Sequence, residues 1–157
     1  MIQRIQTVFL LLSIVLMTVM LFSPLWTKEN LLTGDAAQLT PIALIYKQKA
    51  VIVTQQTTVY IAILIFTSIA FAFLSIFSYK NRMRQVMYNM LNILVLVGVL
   101  ACLIYFSTKG EDLFKEPLRG SFGIGYFMPA FAVIMNSLAN RFIRRDEKLV
   151  KSIDRIR

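Results

Sequence analysis

Four long apolar runs alternate with polar segments along this chain, and their spacing predicts four membrane-crossing helices. The runs fall at about residues 5–26, 57–79, 86–107 and 121–140. Each is close to the roughly 20 residues that a helix rising 1.5 Å per residue needs to cross about 30 Å of hydrocarbon. None of the four contains Asp, Glu, Lys or Arg, so no buried charge marks an ion path. The expected fold is an all-α membrane protein: a single four-helix bundle over residues 1–157, with a basic amphipathic helix at its C-terminal end.

The polar segments supply the connections. Residues 27–56 and 108–120 form two loops on one side, 80–85 a short loop on the other, and 141–157 a tail. Pro24 ends the first helix, and Trp26 suits the headgroup level, where an amphipathic ring is well placed. In 27–56, Thr33-Gly34-Asp35 reads as a turn. The apolar pieces 42–46 and 50–53 flank Lys47-Gln48-Lys49, and two arrangements fit them: a hairpin lying against the membrane, or an irregular loop.

Within the bundle, helices must associate through close backbone approach and polar pairs, because lipid solvates leucine as well as another helix does. Ser68, Ala72 and Ser75 offer a small-residue stripe on the second helix. Gly98, Ala101 and Cys102 offer one on the third, and Gly125, Ala132 and Ala139 one on the fourth. Asn89 and Asn92 share a face of the third helix, Asn136 and Asn140 one of the fourth, and facing each other they would bond between helices. Pro129 leaves the carbonyl of Gly125 without its usual donor, which predicts a kink that serves packing.

Charge then orients the bundle. Arg4, Lys80, Arg82, Arg84 and the seven basic residues of the tail lie on one side. The basic residues of the two longer loops are fewer and interleaved with Glu29, Asp35, Glu111, Asp112 and Glu116. Basic residues close to the spans favour the cytoplasm, so both termini are expected inside a bacterial inner membrane. The net charge of +9 has this simple source. The rest of the composition agrees: 57% of residues are hydrophobic and 16% charged, with a mean hydropathy of +0.67.

Chemistry is sparse. There is no histidine, and the single Cys102 sits in an apolar run. Glu111, Asp112 and Glu116 lie among Lys109, Lys115 and Arg119, which reads as a solvated cluster. No catalytic, metal or cofactor site is expected, and the chain is read as a non-enzyme. The tail is the most patterned segment. On a helix, Phe142, Leu149, Ile153 and Ile156 share one stripe with Val150 beside it, opposite Arg144, Lys148, Lys151 and Arg155. Arg141, Arg144, Arg145, Lys148, Lys151 and Arg155 are the expected contacts to anionic lipid or to a membrane-protein partner. Asp146, Glu147 and Asp154 occupy another flank, suited to local pairs such as Asp146 with Arg145 or Lys151. Nucleic acid is not expected, since only Phe142 interleaves the basic residues.

The opening Met1-Ile2-Gln3-Arg4-Ile5-Gln6-Thr7, the central Tyr79-Lys80-Asn81-Arg82 with Gln85, the run Gly123-x-Gly125-Tyr126-Phe127-x-Pro129 and the ending from Leu138 to Val150 with Asp154-Arg155-Ile156-Arg157 carry a resemblance. Over its whole length the chain resembles a bacterial family of four-helix inner-membrane proteins known only as a domain of unknown function. The resemblance implies four spans and brings no activity. The residues themselves suggest an accessory or scaffold protein that meets its partner through the tail and the outer loops. The alternative is a small transporter or lipid-binding protein built on the kinked fourth helix.

Overall fold

The structure, a computed structural model, describes residues 3–30, 34–49, 51–79, 81–114 and 120–154; the side chains of 3, 4 and 148–154 lie outside that description. The described residues form four helices: α1 (Gln3–Phe22), α2 (Val59–Phe77), α3 (Arg82–Asp112) and α4 (Ile124–Asp154). The expectation of an all-α fold is wrong. Strands β1 (Trp26–Asn30), β2 (Asp35–Leu39), β3 (Ala43–Gln48), β4 (Val51–Thr57) and β5 (Ser121–Phe122) form one antiparallel sheet, making the fold mixed α and β.

The helices pack in a ring in which α1 touches α2 and α4, and α3 touches α2 and α4. Their buried positions recur at alternating steps of three and four residues. On α1 these are Gln6, Leu10, Ser13, Met17 and Met20; on α3 they run Gln85, Asn89, Asn92, Leu96, Val99 and Leu103. On α4 the series includes Gly125, Pro129, Ala132, Asn136, Ala139 and Ile143. A stripe with a mean step of 3.5 is what keeps one face of each helix on the bundle axis as the helices coil. Large apolar side chains such as Val8, Phe66, Leu94 and Phe127 point outward, the inverse of a soluble bundle's surface.

Three helices are long and apolar enough to cross a membrane: α1 over Ile5–Phe22, α2, and α3. The fourth, whose apolar part includes Asn136 and Asn140, falls short of that measure, although it packs along α1 and α3. Two boundaries also differ from expectation. Ser121 and Phe122 pair with β1 instead of opening α4, and α3 extends beyond both ends of its predicted span, its last turns lying against β2 and β3. The basic segment after residue 140 continues α4, which also runs through Pro129. Asn81 starts α3, its side chain accepting the Arg84 N–H at 3.3 Å.

The sheet order is β4-β3-β2-β1-β5, a meander of three consecutive hairpins plus one distant strand. Gly34, with a positive φ of 74°, takes the turn after β1. The hairpin between β3 and β4 is one of the two arrangements that the sequence allowed, and Lys49, with φ 46°, lies in its turn. The sheet is tied to the helices by short bonds. Leu25 accepts from Gly123 at 3.0 Å, and the Thr58 hydroxyl at the start of α2 donates to Thr40 at 3.0 Å.

Candidate functional site

Trp26 is the joint between sheet and bundle. The ring does not face lipid headgroups as expected but is fully buried. It lies against Gly110 on α3 and against Gly120, where any Cβ would meet the indole. Beside it on the same face of β1, Lys28 is also buried and sets its ammonium 4.6 Å from the ring centroid of Phe114. Such a placement favours the cation through the ring quadrupole. Phe114 also meets Tyr46 edge-on at 5.4 Å. Partial burial, and then the neighbouring Asp35 carboxylate, raise the Tyr46 phenol above its ordinary range.

The far edge of the sheet is open. Six of the seven residues of β4 are exposed, Thr54 alone being half-buried, and Val51, Ile52 and Val53 are apolar among them. The strand carries neither charge nor proline from 51 to 57, the two devices that usually keep an edge from pairing with another chain. The other edge, β5, is only two residues long. On the outer face of the sheet, Thr27, Glu29, Ala36, Gln38, Ile45 and Lys47 line a shallow depression of about 200 Å³.

Inside the bundle, polar side chains converge on one level. Ser68 on α2 donates to Asn92 Oδ1 at 2.6 Å, and Asn92 on α3 donates through Nδ2 to Asn136 Oδ1 at 3.2 Å. Asn136 on α4 in turn donates to Ser13 Oγ on α1 at 2.8 Å. One hydrogen-bonded chain thus crosses all four helices. Asn89 adds a bond from Nδ2 to the backbone oxygen of Asn136 at 2.9 Å. The four asparagines expected at the interface are all buried here, together with Gly125 and Pro129, while Gly98 is half-buried beside Leu64. Ser13, Gln6 and Gln85 were missed. Their signal was present, since each continues the three-and-four spacing of its helix.

Of the proposed small-residue stripes, Ala101 departs: it is exposed, and the buried face of α3 runs instead through Leu96, Val99 and Leu103. Toward the Arg82 end the interior reaches an ion pair. Arg82 Nη1 lies 3.2 Å from Asp146 Oδ2, so Asp146 pairs across helices and not with Arg145. Phe142 stacks on Phe9 with centroids 5.6 Å apart, and Ile143 is buried. The first turns of the expected tail are therefore part of the bundle. Arg141, Arg144 and Arg145 are exposed around them, and Arg144 reaches Met90 Sδ at 3.9 Å. Arg155 lies outside the described residues, as do the side chains of Lys148 and Lys151 and the stripe Leu149, Val150, Ile153 and Ile156. Among the described residues no group of His, Cys, Asp or Glu is arranged to hold a metal.

A family model described as a domain of unknown function (DUF4293) matches residues 2–156, nearly the whole chain. No curated protein matches it.

Proposed function

The chain belongs to this family of unknown function, and on that premise we propose that it is a non-catalytic accessory or scaffold protein of a bacterial inner membrane. In this reading all four helices cross the bilayer, the basic Arg82 end faces the cytoplasm with both termini, and the sheet stands on the opposite side. The supports are the three strongly apolar helices, the shared core stripe of the fourth, and the basic residues gathered at one end. The partner contact is the open edge of the sheet, with Arg141, Arg144 and Arg145 meeting anionic lipid or a second contact on the other side.

One observation carries this reading: a strand with six of seven residues exposed, free of charge and proline, held on a sheet that Trp26 fixes to the bundle. A fixed edge can template another strand through main-chain bonds. The test is site-specific photocrosslinking in the native membrane at Ile52 and Gln55, with Glu29 as control, alongside a truncation after Glu147 that spares Ile143 and Asp146. A stoichiometric crosslinked protein from β4 positions is expected. If neither β4 crosslinks nor the truncation changes what assembles, the scaffold reading fails.

The transporter alternative has one observation in its favour, the polar side chains that fill the Arg82 half of the bundle interior. Met17, Ile65, Leu96, Val99 and Leu103, all fully buried, fill the other half without a polar partner, and a permeation path would have to cross them.

A further inference from the structure

Between the four-helix hydrogen-bond chain and the Arg82–Asp146 pair, three side-chain oxygens are buried without a donor among the described residues: Gln6 Oε1, Asn89 Oδ1 and Asn140 Oδ1. Their residues are 4%, 0% and 8% exposed. The orientation of Asn89 is set by its own bond, because turning the amide over would place Oδ1 against the Asn136 carbonyl that Nδ2 now meets at 2.9 Å. Helical rise places the three close together along the axis. Asn89 lies about 4.5 Å from the level of Asn92, Asn140 about 6 Å from Asn136, and Gln6 about 10.5 Å from Ser13, all toward the Arg82 end. All three occupy core positions of their helices, so they share one interior segment lined from α1, α3 and α4.

Buried acceptors that the protein leaves unanswered are, as a rule, met by ordered water. Just beyond the hydrogen-bond chain, in the opposite direction, Met17, Ile65, Leu96 and Ala132 are fully buried and apolar. We propose that the segment is a hydrated, blind pocket, open at the Arg82–Asp146 end and closed at the apolar layer, which takes small neutral hydrogen-bond donors, water first. The ligand class follows from the lining and the rim. The unanswered amide oxygens of the lining are acceptors and call for a donor. The rim carries exposed Arg84, Arg141, Arg144 and Arg145 against an Asp146 that Arg82 already pairs, which opposes cations. The exposure of Asn140 and Arg82, against none for Asn89 and Asn136, agrees with entry from that end.

Two measurements on the full chain in detergent or proteoliposomes test the pocket. In a Cys102→Ala background, Asn140→Cys and Ala132→Cys are treated with methyl methanethiosulfonate, a small neutral thiol reagent. Modification at 140 at least about tenfold faster than at 132 is expected, and equal rates would overturn the proposal. A cationic aminoethyl analogue that outpaces the neutral reagent at 140, relative to a free thiol in solution, would overturn the neutral ligand class. Second, Gln6→Leu and Asn140→Leu each remove an acceptor at similar volume. If water donates to it, Tm falls in each, and the double variant falls by less than the two together. Dry, unpartnered oxygens would give the opposite result, a rise in Tm for both single variants.

Discussion

Asn92 and Asn136 are joined side chain to side chain, Nδ2 of the first donating to Oδ1 of the second at 3.2 Å, and through them Ser68 and Ser13 complete a chain across four helices. Asn136 is the node, holding bonds to α1 and α3 at once. Interhelical bonds of this type contribute about 0.6 kcal/mol on average and up to about 1.7 kcal/mol. Asn136→Leu is therefore expected to cost about 1–3 kcal/mol, and Asn92→Leu less. Equilibrium unfolding in mixed micelles would show it, and the double variant should cost less than the sum. Strict additivity would mean that the pair is not coupled.

Gly110 has no room for a side chain. A Cβ there would stand 2.6 Å from Trp26 Cζ3. Gly110→Ala should destabilise the protein by about 1–3 kcal/mol through overpacking, and Trp26→Leu should relieve part of that loss. Trp26 is the single tryptophan, so its fluorescence reports directly. Emission is expected at short wavelength in the native protein and shifted to the red in Gly110→Ala.

The Arg82–Asp146 pair ties α4, beyond its apolar part, back to the start of α3. The Asp146 side chain is 9% exposed and that of Arg82 24%, so the pair is partly shielded. Removing one partner should cost more than the roughly 0–1 kcal/mol of an exposed pair and less than the 3–5 kcal/mol, approximately, of a fully buried one. Asp146→Asn is expected to speed tryptic cleavage after Arg145, and the exchange Arg82→Asp with Asp146→Arg to slow it again.

Tyr46 links pH to the attachment of the sheet. Partial burial and the Asp35 carboxylate favour its neutral phenol in the folded protein. The folded value is thus raised above the unfolded one, so the stabilisation is fully present below about pH 10 and is lost as pH rises through the folded value. Alkaline unfolding followed by Trp26 emission should show this loss. Tyr46→Phe should flatten the decline above pH 10, and an unchanged slope would remove Tyr46 as its cause.

Helices were legible where local pattern suffices. Blocks of apolar residues, free of charge and near the length of a membrane crossing, located most of α1, α2 and α3, and asparagines spaced three and four apart picked out the interface with α4. Beyond the β3–β4 hairpin, one of the two arrangements open to residues 42–53, the sheet was not legible, for the converse reason. Trp26-Thr27-Lys28-Glu29-Asn30 and Asp35-Ala36-Ala37-Gln38-Leu39 hold a single β-branched residue, Thr27, among residues mostly depleted in strands, and Lys28 and Asn30 are buried where the sequence reads as solvated. Lys28 is held there by the ring of Phe114, a residue distant in sequence. The pairing of Trp26 with Phe122 likewise joins positions far apart in the chain.

By itself, then, the sequence determined which segments are apolar enough for lipid, which end gathers positive charge, and which faces carry amides. Each is a property of a single helix or loop, set by residues one or two turns apart. Tertiary structure decided that strands β1 to β5 form one sheet, that Trp26 goes inside, and that Asp146 pairs with Arg82. Strand hydrogen bonds, ring contacts and ion pairs exist only once partners from distant segments meet, so no local pattern contains them.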